Sequence, residues 1–449
     1  MRRTKKNLIL ASAAAFLIAV PTGLTANAWA QSSSDDAAGL AAGEPATWTL
    51  TDVSSSEAET LDADGVDVIR VEDGTAMIVA DEAQADELRS AGWDVSFHDT
   101  VYKDVPPTAA QDEYYGGYRT AEAHINNLHE VEADYPDLAQ TFTIGDSWLQ
   151  TQGEDGHDIV AICLTEQQSG DCDMSPDSDK PRISIVSQLH AREIATGEIS
   201  WRFIDHLTEN FGSDAEVTEL LETTEVWIVP IANPDGVDVV ASGGDEPILQ
   251  RKNVNTSEGN CSGTGIGVDL NRNHTFKWGG SSGDPCSETY PGSGAASEPE
   301  TQALEDLFTS IHPQQRGSDD DDPAPDDARD IMISLHSFGN YIIHPWAWTS
   351  DDAPNRTELR NLGEMMAQSN GYLVGTASET VGYLAPGGTD DFAYGELGVA
   401  GFTFEVGPQS GECGGFLPAY SCMDSTLWPD NRDALMTAAL EAAQPYDPS

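Results

Sequence analysis

Basic residues are scarce in this chain: 21 Lys and Arg stand against 77 Asp and Glu among 449 residues, for a formal net charge of −56 at pH 7. A protein this acidic cannot neutralise a run of phosphates, which excludes a nucleic-acid partner, and an anionic membrane surface repels it for the same reason. Beyond the first thirty residues no apolar run is long enough to span a bilayer. Cysteine is limited to six residues, none in a tight Cys-x-x-Cys pair, which excludes a zinc knuckle and a dithiol redox centre. Internal repeats are absent as well. What is present is a 39% apolar fraction gathered into strand-length runs, so the acidity does not mean disorder. The length leaves room for two or three folded units.

Residues 1–30 read as a secretory signal peptide, because Arg2, Arg3, Lys5 and Lys6 precede an apolar stretch from Leu8 to Val20 and Ala28-Trp29-Ala30 supplies small cleavage positions. Export to an oxidising, extracellular compartment makes the cysteines legible as three sequence-local disulfides: Cys163 with Cys172, Cys261 with Cys286, and Cys413 with Cys422. A polar stretch at 31–45 leads into a small unit at 46–105. There Trp48–Val53 reads as a strand, Val66–Val71 and Ala76–Val79 as a hairpin around Asp73-Gly74, Asp81–Ala91 as a helix and Trp93–Phe97 as a last strand. This pattern predicts a small α+β, ferredoxin-like prodomain. The segment Thr100–Asp112, with Lys103 and Pro106-Pro107, reads as a linker and maturation site.

Residues 106–449 alternate strand-like runs with helical patterns. The runs are Ile159–Leu164, Arg182–Leu189, Val226–Ala232, Ile331–Leu335 and Gly401–Val406; the helices are Thr120–Asp134, Gly197–Glu209, Glu298–Ile311, Glu358–Asn370 and Asn431–Ala443. The expected class is α/β, with a mixed, largely parallel twisted sheet and helices on both faces. Gly317–Asp330, which holds Asp319 to Asp322 in a row, reads as a solvated surface loop, since its spacing matches no calcium loop.

Three of the runs end in a metal ligand or a base, and ligands bind at the carboxyl ends of strands in open α/β sheets. Ile183–Leu189 runs into His190-Ala191-Arg192-Glu193, Ile331–Leu335 into His336, and Phe402-Thr403-Phe404 into Glu405. A His and a Glu three residues apart can face one point at the start of a helix, and a distant second His completes a His2Glu set. Such a set leaves a fourth zinc position open, as catalysis requires. Glu405 lies in an apolar strand, where a carboxylate without a partner is costly.

In order along the chain come His190-Ala191-Arg192-Glu193, Asn233-Pro234-Asp235-Gly236, Arg251-Lys252-Asn253, Gly267-Val268-Asp269-Leu270-Asn271-Arg272-Asn273, Cys286-Ser287-Glu288-Thr289-Tyr290, Ser297-Glu298-Pro299-Glu300-Thr301, Leu335-His336-Ser337-Phe338 and Phe402-Thr403-Phe404-Glu405. Over roughly residues 114–425 the sequence resembles the secreted zinc carboxypeptidases of the pancreatic and actinomycete type. The resemblance implies one Zn2+ per chain on His190, Glu193 and His336. It makes Glu405 the general base that takes a proton from water and passes it to the leaving amine. Arg251 becomes the residue that polarises the scissile carbonyl. Asn271 and Arg272 become the grip on the substrate's C-terminal carboxylate, with Arg192 a further substrate-binding residue and Tyr383 the tyrosine that caps the bound terminal residue. Counting back from Glu405, Asp390 falls at the floor of the primary specificity pocket, where an aspartate selects Lys or Arg, with apolar residues also open; Asp391 reads as a structural hydrogen-bonding neighbour. The Cys261–Cys286 bridge also matches the family.

The match departs at Ile248 and at Val254-Asn255, where pancreatic members carry basic residues, and at Phe338, which replaces a tyrosine. The expectation is therefore a secreted zymogen acting as a monomer on peptide and protein C-termini. Two alternatives stay open: a peptidase cutting next to diaminopimelate in cell-wall peptides, and an inactive binding homologue. The pervasive acidity also predicts adaptation to high salt.

Overall fold

Residues 40–108 and 110–448 are described by a computed structural model. The expected signal peptide at 1–30 and most of the polar stretch at 31–45 lie outside the described residues. The chain divides after Val101 into two compact units.

In the smaller unit the order is β1 (Ala46–Thr51), α1 (Ser55–Ala63), β2 (Asp67–Glu72), β3 (Thr75–Ala80), α2 (Glu82–Ser90) and β4 (Asp94–Thr100). The strands pair antiparallel in the order β2-β3-β1-β4, the ferredoxin-like arrangement. Asp73 and Gly74 join β2 to β3 with φ of 49° and 78°, the left-handed pair that a two-residue hairpin turn demands. Trp48, Leu50, Ile78, Leu88 and Trp93 fill the core. Helix α1 has no counterpart among the elements expected from periodicity, since it buries only Ala58 and Leu61. Its start is instead marked by a capping box between Ser54 and Glu57, a spacing the sequence does carry.

The larger unit opens with a ribbon of β5 (Glu113–Tyr114) and β6 (Tyr118–Arg119), then α3 (Ala121–Asp134). An eight-stranded sheet follows, built from β7 (Ala139–Asp146), β8 (Asp158–Leu164), β9 (Arg182–Ser187), β10 (Glu225–Val229), β11 (Ile331–His336), β12 (Tyr341–Ile343), β13 (Leu373–Gly375) and β14 (Ala400–Glu405). Their order is β13-β12-β14-β11-β9-β10-β8-β7. The central four, β14, β11, β9 and β10, run parallel, while β8 and β12 join them antiparallel. Every residue of β9, β10 and β11 is buried, which requires cover on both faces. Helices packed on the sheet include α4 (Ile194–Asn210), α5 (Pro299–Ile311), α6 (Arg356–Asn370) and α7 (Trp428–Leu440).

The apolar runs overshoot the strands. Strand β9 stops at Ser187 and β10 at Val229, while Leu189, Ile231 and Ala232 beyond them are buried in connections, because an apolar run reports burial and not ladder pairing. The short β12 and β13 and the half-buried β7 carry no such run and were not among the expected strands. Gly317–Asp330 is largely exposed, as expected, except at its end. Asp330 is fully buried and accepts from the Arg182 N–H at 2.8 Å and His312 Nδ1 at 3.0 Å. All three disulfides form between the sequence-local partners. Among the described residues no helix is long and apolar enough to cross a membrane.

Candidate active site

Three adjacent parallel strands, β9, β11 and β14, deliver the expected residues to one edge of the sheet. His336 at the end of β11 lies in register with Glu405 at the end of β14, and Leu335 with Ser187 of β9. After β9 the chain turns through Gln188, whose side-chain amide donates to the Ala191 carbonyl at 3.1 Å. Thr196 Oγ1 accepts from the Gln188 N–H and donates to the Glu193 carbonyl. These bonds close the turn, so that His190 precedes α4 and Glu193 occupies its N-cap.

His190 Nδ1 lies 2.8 Å from Glu193 Oε1, and His336 Nδ1 lies 2.9 Å from Glu193 Oε2 and 3.0 Å from His190 Nδ1. The far nitrogens are held elsewhere: His190 Nε2 donates to Asp269 Oδ1 at 3.0 Å, and His336 Nε2 lies 2.9 Å from Ser334 Oγ and 3.3 Å from Asn271 Nδ2. With its proton on Nε2, His190 turns its Nδ1 lone pair toward a point that His336 Nδ1 and the Glu193 carboxylate also face. Three buried donors converge in this way, and their chemistry fits a zinc ion that these residues could hold. Burial pushes the Glu193 carboxyl up, but the two imidazoles pull it well below the usual carboxylate range. Burial lowers His336, favouring the neutral ring that a metal needs.

A cleft of about 470 Å³ opens beside this cluster, lined in part by Arg251, Arg272, Tyr383, Asp390 and Glu405. Burial, and then the nearby Glu193, raise Glu405 well above the usual range. Arg251 is held at Nε and Nη2 by Asp269 Oδ2, at 3.1 and 2.8 Å, leaving Nη1 without a partner among the described residues. Asn271 also lines the cleft, and its Oδ1 accepts from Thr389 N and Oγ1 at 2.9 and 3.0 Å. Arg272 Nη1 donates to the Asn271 carbonyl at 2.7 Å. Gly387 lets these residues meet: its φ is 77°, and a Cβ there would sit 2.4 Å from the Arg272 carbonyl. Asp391 has both oxygens taken by the Ala347 and Trp348 N–H groups. Asp390, its neighbour, lines the cleft and accepts the Asp391 N–H at 2.9 Å.

Arg192 is set apart from this group. It is buried, with its guanidinium 4.1 Å over the Phe416 ring and 3.8 Å from Glu288. Asp269 is the residue whose role was missed: it orients His190 with one oxygen and Arg251 with the other. The signal was available in Val268-Asp269-Leu270, a carboxylate between apolar neighbours that needs partners when buried.

The zinc carboxypeptidase family model matches residues 124–434. The chain belongs to the zinc carboxypeptidase family. Among similar proteins, carboxypeptidase A1 of Bos taurus is 27% identical over 312 residues, 68% of this chain and 66% of the relative. Carboxypeptidase B of Helicoverpa zea is 29% identical over 328 residues, 69% and 68% of the two chains. The chain thus spans about two thirds of the length of these relatives. The fold is shared with carboxypeptidase A from Helicoverpa armigera, at a TM-score of 0.70 and 21% identity over 90% of this chain and 98% of that one. It is shared too with thrombin-activatable fibrinolysis inhibitor, at a TM-score of 0.67 and 21% identity over 89% and 99%.

Proposed function

We propose that this chain is a secreted zinc metallocarboxypeptidase, made as a precursor, that releases C-terminal Arg and Lys and also accepts apolar residues. Bound at His190, Glu193 and His336, zinc would supply Lewis-acid polarisation of the carbonyl and of water. Asn271 and Arg272 hold the substrate's terminal carboxylate, the Arg272 fork favouring a planar anion. Arg251, pinned by Asp269, offers its remaining Nη1 to the oxygen that becomes negative, with little reorganisation left to do. Glu405 takes a proton from the attacking water and returns it to the leaving amine; its raised affinity for protons suits that exchange near neutral pH.

The observation that carries the specificity is the split between two adjacent carboxylates. Asp391 is spent on backbone N–H groups, whereas Asp390 lines the cleft. Burial raises the Asp390 carboxyl, disfavouring its charge until a substrate guanidinium or ammonium supplies a partner that a leucine side chain cannot. The apolar side of the cleft, with Ile343, Ala347, Ala377 and Val381, supports acceptance of apolar side chains as well. Support for export comes from the N-terminal basic and apolar pattern and from three disulfides. Paired peptides ending in Arg, Lys, Leu and Phe, assayed with and without a chelator, test the reading. Arg and Lys should be released well, and Asp390→Ile should lower kcat/KM for Arg by about tenfold or more while sparing Leu. A wild-type enzyme that releases Leu or Phe and leaves Arg untouched would overturn the specificity, and full activity in chelator would overturn the metal.

A further inference from the structure

The acidic loop that begins at Gly317 takes no part in the chemistry above, yet it is organised around a buried cation of the protein's own. Arg316 is 6% exposed, and every acceptor it uses is a backbone carbonyl. Nε donates to Asp322 at 2.9 Å; Nη2 donates to Asp319, Asp320 and Asp322 at 2.9, 3.2 and 2.6 Å; Nη1 donates to Gly395 at 2.7 Å. The guanidinium also lies 5.5 Å from the Trp346 ring and 5.0 Å from the Tyr394 ring. Arg316 takes its partners from carbonyls rather than carboxylates, while the Asp322 carboxylate accepts the Asp319 N–H at 3.1 Å within the loop. Asp320 pairs with Lys277 at 2.7 Å on the surface, an exposed pair of little worth.

The two segments that Arg316 touches each carry a cleft-lining residue, Ala347 beside Trp346 and Asp390 ahead of Tyr394 and Gly395. Trp346 precedes Ala347 and Trp348, whose N–H groups hold Asp391. Tyr394 and Gly395 continue the helical turn that begins at Thr389 and carries Asp390. Phe276 packs between the two segments, stacked on Trp346 at 5.5 Å and so close to Gly395 that a Cβ there would meet its ring at 2.3 Å.

We propose that Arg316 is a positioning residue of the specificity pocket: gathering the acidic loop through its carbonyls, the guanidinium fixes the spacing between the Trp346–Trp348 wall and the Asp390–Gly395 floor, with no need of calcium. The role rests on the carboxypeptidase reading and deepens it. A buried cation on neutral carbonyls is little affected by dissolved salt, unlike a pair of exposed charges. Asp319 and Asp320 contribute only their carbonyls to Arg316 and Asp321 contributes nothing to it, so the charge of these three is dispensable, unlike that of Asp322, which accepts the Asp319 N–H.

The test uses the processed enzyme and whichever C-terminal residue the wild type releases fastest. Arg316→Met should raise KM about tenfold or more with kcat within about threefold, because the pocket and not the proton transfer is disturbed. Arg316→Lys, which keeps the charge and loses the fork, should fall between. The combined variant Asp319→Asn, Asp320→Asn, Asp321→Asn should keep its KM within about twofold, and calcium or EGTA should leave the wild-type Tm and KM unmoved. Unchanged KM in a folded Arg316→Met, parallel loss of kcat and KM with Tm, or failure of both Arg316 variants to fold would overturn the proposal. So would a calcium-dependent KM, or its collapse in the aspartate variant. A wild type that releases no C-terminal residue fails the functional reading and the brace together; normal wild-type turnover with an unmoved variant KM fails the brace alone.

Discussion

Asp390 and Asp391 have the same side chain and adjoin in sequence, and what separates them is which N–H groups each one meets. The same holds for the carboxylates around the metal ligands: Glu193 is pulled down by two imidazoles, while Glu405 is pushed up by burial and by Glu193 itself. Each environment suits one task, a ligand that stays ionised or a base that exchanges protons. Glu405→Gln should therefore retain metal and fold but lose turnover by about 10²- to 10⁴-fold, the range for removing a general base. Asp269→Asn should behave differently. It loosens the orientation of both His190 and Arg251, so metal affinity or activity should fall about 10- to 100-fold. Metal analysis beside steady-state rates distinguishes the two, and a fully active Glu405→Gln would remove Glu405 from the mechanism.

Arg251 comes from the segment 250–255, which belongs to no strand and is held in place by side chains. Gln250 Nε2 donates to the carbonyls of Lys252, Asn253 and Ile266. Lys252, fully buried, donates to those of Gly265, Pro285 and Ser287 at 2.7, 3.0 and 2.8 Å. Asn253 reaches Glu298 and Glu300 at the start of α5. Burial pushes the Glu300 carboxyl from 4.5 to about 8. A carboxyl whose folded pKa is raised contributes stability fully below its unfolded pKa and loses it as pH rises through the folded one. Wild-type stability should thus decline from about pH 4.5 toward 8 by up to a few kcal/mol from this group. Glu300→Gln, which cannot ionise, should flatten that decline. Thermal melts of both proteins across this window check it, and identical pH dependence would place Glu300 ionised in the fold.

Both compact units share the acidity: residues 31–105 carry net −15 and residues 106–449 net −45. A charge serving only the cleft would be confined to the larger unit, so the distribution fits self-repulsion that salt relieves. Tm and activity should hold or rise at molar salt; a sharp loss of both above a few hundred millimolar, about the range where screening is already strong, would refute this. The smaller unit invites a second test. Tyr102 Oη donates to the Pro247 carbonyl, Lys103 N–H to Tyr115 Oη, and Thr108 Oγ1 to Asp245, so the chain past Val101 is tied into the larger unit. If residues 31 to about 105 are a removable prodomain, N-terminal sequencing of active enzyme should give a start between Thr100 and Tyr114. An active chain starting at Gln31 would count against a zymogen.

By itself the sequence determined the parts that depend on local pattern or on chain order. The parallel core strands show as apolar runs, the disulfides as neighbouring cysteines, and the cluster of His190, Glu193 and His336 with Glu405 as polar residues where those runs end. Strand ends are informative because a parallel sheet lines them up at one edge. The tertiary structure alone decided the rest. Asp269 serves both His190 and Arg251, Arg192 turns onto Phe416 away from the cleft group, Asp391 binds backbone while Asp390 lines the cleft, and the acidic loop closes around Arg316. Apart from Arg316, whose loop partners lie within six residues of it, the deciding contact joins residues far apart in the chain, and neither periodicity nor spacing records which of several possible partners a buried polar group meets.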